Sequence, residues 1–247
     1  MRGVDISHYQ KGLTIKKVKD AGNEFAIIKV TEGNWLKDAA AFDFYREAYE
    51  MGFPVGCYCY SHAMTVEDAA NEAYFLIGVL NGFPMPCGVF LDMEEPKQLD
   101  LPKEKLMLII STWCNVLYQA GYIPGVYSSA GTLWQKINPD EVDDGCLVWV
   151  AKWSQQPPDT PCDLWQNSDS GNIGGVTVDT DIARSDRFVA LVNLGMPKRD
   201  EPPDVPDDAP PDKPDISGAF ALLAKFMQTQ EFQEAFLKYI ERGESNG

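Results

Sequence analysis

The stretch Gly88-Val-Phe-Leu-Asp-Met-Glu-Glu95 decides how this chain reads. Its β-branched and aromatic centre has the character of a buried strand, and two carboxylates, Asp92 and Glu94, follow directly. Side chains alternate across a strand, so residues i and i+2 point the same way and this pair shares one face where the strand ends. Two like charges that close cannot both ionise cheaply. One is pushed toward its protonated form, which provides a general acid beside a carboxylate that stays charged. Taken alone, the pair fits a solvated acidic turn equally well, since Glu95-Pro-Lys-Gln98 comes next and surface carboxylates are common.

Working outward, strand-like apolar runs recur at 3–7, 25–31, 54–60, 87–93, 123–128, 146–152, 163–166 and 175–179. Helical spacing of apolar residues falls between the early ones, at 14–20, 38–51, 66–80 and 102–120, with a short segment at 130–137. Strands alternating with helices argue for an α/β architecture with a parallel sheet. Eight strands, with helices concentrated among the first five, predict an irregular TIM-like barrel of eight strands and about five helices. In such barrels the site lies at the carboxyl ends of the strands. Polar residues gather at those ends: Asp5 and Ser7, Thr31 and Glu32, Tyr58 and Tyr60, Asp92 and Glu94, Tyr127 and Ser128, Lys152 and Trp153, Gln166, and Asp179. Four carboxylates, Asp5, Asp92, Glu94 and Asp179, are therefore expected to face one cavity.

The chain has 247 residues, 45% of them hydrophobic and 23% charged, with a formal net charge of −16. Nucleic-acid binding, which needs Lys and Arg to neutralise phosphates, is excluded on charge. No apolar run reaches membrane-spanning length, and the N-terminus has no basic region followed by an apolar stretch, so neither membrane insertion nor a secretory signal is expected. Six cysteines lack the close-paired spacing of a zinc site and read as reduced core residues, and two histidines make a histidine-rich metal site or a Ser-His-Asp triad improbable. No metal or other cofactor is expected. Residues 1–196 form the expected barrel domain. A Pro- and acid-rich spacer at 197–215 and an amphipathic helix within 216–247 follow, the helix being expected to self-associate or dock.

With these motifs placed, the chain resembles the lysozymes of glycoside hydrolase family 25. The resemblance is carried by Gly3-Val-Asp-Ile-Ser7, Phe25-Ala-Ile-Ile-Lys-Val-Thr-Glu-Gly33, Val55-Gly-Cys-Tyr-Cys-Tyr60, Phe90-Leu-Asp-Met-Glu94, Val148-Trp-Val-Ala-Lys-Trp153, Leu164-Trp-Gln166 and Val178-Asp-Thr-Asp181, over roughly residues 1 to 190. It implies cleavage of the β-1,4 bond between N-acetylmuramic acid and N-acetylglucosamine in bacterial peptidoglycan. Glu94 is then the general acid, Asp92 orients the substrate N-acetyl group or stabilises positive charge on it, and Asp5 and Asp179 tune protonation and fix hydroxyls. Tyr58, Tyr60, Tyr127, Trp153 and Gln166 are the implied substrate-binding residues. Two departures are visible: Asp181 stands where the family commonly has asparagine, and Trp153 where tyrosine is usual. Competing readings are a non-catalytic saccharide-binding barrel and, more weakly, a divalent-metal hydrolase built on the four acids. A phage-type endolysin acting on the wall after release from the host is the expected setting, with a bacterial autolysin or secreted competition enzyme as the alternative.

Overall fold

The computed structural model describes residues 1–143 and 145–197. The expected spacer beyond Pro197, the helix within 216–247 and its self-association lie outside the described residues.

The strands are β1 (Arg2–Ile6), β2 (Phe25–Glu32), β3 (Leu36–Lys37), β4 (Val55–Tyr60), β5 (Val89–Asp92), β6 (Pro124–Ser129), β7 (Leu147–Ala151), β8 (Leu164–Ile173) and β9 (Val176–Ala183). Eight of them close into a ring in the order β1-β9-β8-β7-β6-β5-β4-β2, sealed by the parallel pairing of β1 with β2, while β3 is an antiparallel addition to β2. The helices are α1 (Ile15–Asp20), α2 (Ala41–Met51), α3 (Val66–Leu80), α4 (Pro96–Leu99), α5 (Lys103–Gln119), α6 (Leu133–Lys136) and α7 (Asp186–Leu194). Thr14, Thr65 and Ser185 cap α1, α3 and α7, each side chain accepting a hydrogen bond from a first-turn amide.

Two expectations need correction. Seven α-helices are present among the described residues rather than about five, because the segment after Glu95 winds into the single turn α4 and a capped helix, α7, follows the last strand. The last strand, expected at 175–179 with Asp179 at its carboxyl end, spans Val176–Ala183 and runs antiparallel to both neighbours. Its partner β8 continues past Gln166 to Ile173, and Gly174 and Gly175, with φ of 60° and 90°, turn the chain back. Asp179 thus lies in mid-strand, directly opposite Asp5 of β1.

Alternation along the strands separates two cores. Val4, Ala26, Ile28, Val89, Leu91, Val126, Val148 and Val150 face outward and pack with helix residues such as Leu76, Leu106, Ile110 and Trp113. Phe25, Ile27, Phe90, Tyr127, Leu147, Trp149 and Leu164 face inward and form a second cluster with Phe188 of α7. The inner cluster plugs one end of the barrel with aromatic and aliphatic side chains, leaving the other end to polar ones. Gly125 makes this plug fit, since a Cβ there would stand 2.4 Å from the Phe90 ring. Phe90 and Asp92 share a face, so seating the phenyl ring at the bottom fixes the carboxylate above it.

Candidate active site

The open end of the barrel holds a pocket of about 70 Å³ lined by Asp5, Tyr58, Asp92, Glu94, Tyr127, Trp149, Gln166 and Asp179. Each strand of the ring except β2 supplies at least one of these residues or leads directly into it, as in β5 running on to Glu94. Asp5, Asp92, Tyr127, Trp149 and Gln166 are buried, Tyr58 and Asp179 half-buried, and Glu94 stands open to solvent at the edge.

Gln166 ties the walls together. Its Nε2 donates to Asp5 Oδ2 at 2.9 Å and to Asp179 Oδ2 at 3.5 Å, and its Oε1 accepts from the Tyr127 hydroxyl at 3.0 Å and the Trp153 indole N–H at 2.9 Å. Donors on one side and acceptors on the other leave a single orientation for this amide that satisfies all four neighbours. Trp149 sits at the pocket floor, its ring 4.4 Å from that of Tyr127 and 5.2 Å from that of Phe90, and its indole N–H donates to Asp181 Oδ1 at 2.9 Å. Asp92 Oδ1 and Asp181 Oδ2 are buried without a hydrogen-bond partner.

Crowding acids in this shell raises all their pKa values. Burial, then the Glu94 and Asp5 charges, push Asp92 well above the usual carboxylate range. Burial, then Asp5, does the same to Asp181. Asp5 is pushed up to about 8 by burial and then by Asp179, against the opposing hydrogen bond from Gln166. Asp179 rises to about 6, by burial and then the Asp169 charge. Glu94 is raised by partial burial and by Asp179, with the Tyr127 hydroxyl opposing; as the residue most open to water, it has the most strongly screened surroundings of the set. Near neutral pH the cluster therefore retains protons, and its outermost member can exchange one with a ligand.

The sequence matches the family model for glycosyl hydrolases family 25 over residues 4–176. The chain belongs to that family. Lysozyme M1 of Streptomyces globisporus is 27% identical over 221 residues, a match covering 78% of this chain and 71% of the relative. The autolytic lysozyme of Clostridium acetobutylicum is 26% identical over 184 residues, and there the match spans 74% of this chain but only 55% of the longer relative. Among solved structures, the catalytic domain of endolysin ply40 from bacteriophage P40 of Listeria monocytogenes superposes with a TM-score of 0.66 at 26% identity, covering 78% of this chain and 97% of that one. The bacterial lysozyme from Streptomyces coelicolor gives the same TM-score, identity and coverage.

Of the residues singled out in sequence, this family 25 barrel brings Asp5, Asp92, Glu94, Asp179, Tyr58, Tyr127 and Gln166 around the pocket. Two lie beside it. Trp153 is 60% exposed at the rim and reaches inward through its bond to Gln166. Tyr60 turns its hydroxyl to Glu95, 3.1 Å away, and its ring lies under the Lys29 ammonium, 5.1 Å from the centroid. Strand-end residues of the opposite parity point away: Ser128 donates to the Met93 carbonyl and Lys152 to that of Pro157. Trp149, which lines the pocket, and Asp181, buried behind it as the acceptor of its indole N–H, are not among the residues singled out for the site in sequence. The first was hidden inside a continuous apolar run, although its parity with Ala151 and Trp153 marks it as inward-facing. The second lies on a strand whose reversed direction the sequence does not announce.

Proposed function

We propose that this family 25 barrel is a peptidoglycan hydrolase that cleaves the β-1,4 bond between N-acetylmuramic acid and N-acetylglucosamine, with Glu94 as general acid. The carrying observation is the position of Glu94: on the solvent edge of a pocket whose remaining acids, Asp5, Asp92 and the half-buried Asp179, lie behind it, with its pKa raised. A protonated Glu94 gives its proton to the glycosidic oxygen as the bond to the anomeric carbon breaks, and water then supplies the new anomeric hydroxyl while its other proton restores Glu94. Asp92, two residues back on the same face, has a buried oxygen with no partner. That oxygen accepts the N–H of the substrate acetamido group, turning the group's carbonyl toward the anomeric carbon. Asp5 and Asp179, held by Gln166, face substrate hydroxyls, and the Asp179 charge helps Glu94 to hold its proton. Tyr58, Tyr127 and Trp149 provide apolar walls, and Trp153 and Tyr60 extend them at the rim.

The names of the relatives, among them an autolytic lysozyme, an endolysin and the N,O-diacetylmuramidase of Arthroderma benhamiae, support a wall-glycan substrate. The site of action is the bacterial cell wall, reached as a phage endolysin or as a bacterial autolysin. Mass analysis of a digest of purified peptidoglycan tests the reading. New reducing ends on muramic acid support it; reducing ends on glucosamine, or intact strands, reject it.

A further inference from the structure

Beside the pocket, the turn between β2 and β3 carries an indole that packing holds in place without covering it. A Cβ on Gly33 would lie 2.1 Å from the six-membered ring of Trp35, so the indole rests directly on the Gly33 backbone, whose φ is 53°. The same indole contacts the His62 ring, with centroids 5.0 Å apart. That imidazole is itself clamped: Nε2 is 3.2 Å from Glu32 Oε1, Nδ1 is 3.6 Å from Glu95 Oε1, and the Tyr60 ring flanks it at 5.3 Å. Lys29 Nζ donates to Glu32 Oε2 at 2.8 Å and closes the network. Trp35 is nevertheless 60% exposed. An aromatic side chain ordered before a ligand arrives has already lost the rotamer freedom that stacking would otherwise cost.

The platform is continuous with the pocket. Tyr60 stands opposite Asp92 in the β4–β5 pairing, and Glu95, which accepts from Tyr60 and faces His62, adjoins Glu94 in sequence. Carboxylate oxygens at the edge of a flat apolar face match a pyranose ring, which has C–H groups on one face and hydroxyl and acetamido donors around its perimeter. We infer that Trp35, seated on Gly33 and braced by His62, is the floor of a subsite that stacks an N-acetylhexosamine unit of the wall glycan outside the bond cleaved at Glu94. This subsite rests on the glycan-cleaving reading of the pocket.

The test is binding rather than turnover. In the full chain carrying Glu94→Gln, affinity for insoluble purified peptidoglycan is measured by co-sedimentation, with Trp35→Ala and Trp35→Phe added separately and folding checked by thermal melting. Trp35→Ala is expected to weaken binding roughly tenfold, the scale of losing one buried aromatic anchor, and Trp35→Phe to retain most of the affinity. Equal affinity in all three proteins overturns the subsite. Equal loss in both Trp35 variants overturns stacking, and failure of the Glu94→Gln chain to bind at all also removes the proposal. Release of reducing ends from the same peptidoglycan by the unsubstituted chain judges the muramidase reading separately.

Discussion

Gln166 Nε2 lies 2.9 Å from Asp5 Oδ2, joining side chains 161 positions apart in sequence across the mouth of the barrel. The bond spans β9, which separates β1 from β8 in the ring, and so sets the spacing of the acids independently of the strand ladder.

Replacing that amide with a carboxylate keeps its shape and reverses its electrostatics. Gln166→Glu turns two donor contacts, to Asp5 and Asp179, into repulsions among acids already pushed toward protonation. Misplacement of the pocket walls should lower kcat by about 100-fold. Release of reducing sugar from peptidoglycan measures this, and near-normal turnover would show that the clamp is dispensable.

The acid cluster also predicts how stability follows pH. Asp179 and Asp5 are raised from 3.8 to about 6 and about 8, so folding favours their protonated forms. Their contribution is complete below pH 3.8 and is lost as pH rises through about 6 for Asp179 and about 8 for Asp5. Melting temperature should therefore decline across this range, and Asp179→Asn should flatten the lower part. A slope unchanged by that substitution would contradict the assignment.

Far from the pocket, Asp163 ties α7 to the barrel. It is 3% exposed, accepts from Val148 N at 2.8 Å and Ser185 Oγ at 2.6 Å, and is ion-paired with Arg187. Asp163→Ala leaves a buried amide and a guanidinium group without this partner, and should cost about 3 kcal/mol in urea unfolding. Lys16–Asp20, an exposed pair on α1, is the control; Lys16→Ala should cost no more than about 0.5 kcal/mol.

Gly125→Ala probes the link between the apolar plug and the pocket. Its methyl group would collide with the Phe90 ring, for a cost of about 1–3 kcal/mol. Because Asp92 follows Phe90 on the same strand face, activity should fall with stability. Loss of stability alone, with kcat intact, would show that the floor and the acids are mechanically independent.

What could be read from the sequence follows from which signals are local. Alternation along 87–93 and its counterparts located the strands and the inward carboxylates, because parity is a property of each segment by itself. The reversal of β9 was not legible, since 175–179 carries the same alternation whichever way the strand runs and only its pairing with β1 and β8 fixes the direction. Asp181 and Trp149 were missed for the related reason that their meeting depends on strands 32 residues apart in sequence. Nothing local in Gly33-Asn-Trp-Leu36 marks Trp35, because the packing of the indole onto Gly33 and His62 depends on the folded chain.

The most direct measurement is the rate at which the Glu94→Gln chain liberates new reducing ends from purified peptidoglycan, with its fold checked by melting. Glutamine keeps the volume of glutamate and removes the transferable proton, so turnover should fall by a factor of about 10² to 10⁴ while the folded structure persists. A correctly folded Glu94→Gln protein that cleaves at close to the original rate would place the general acid elsewhere in the chain.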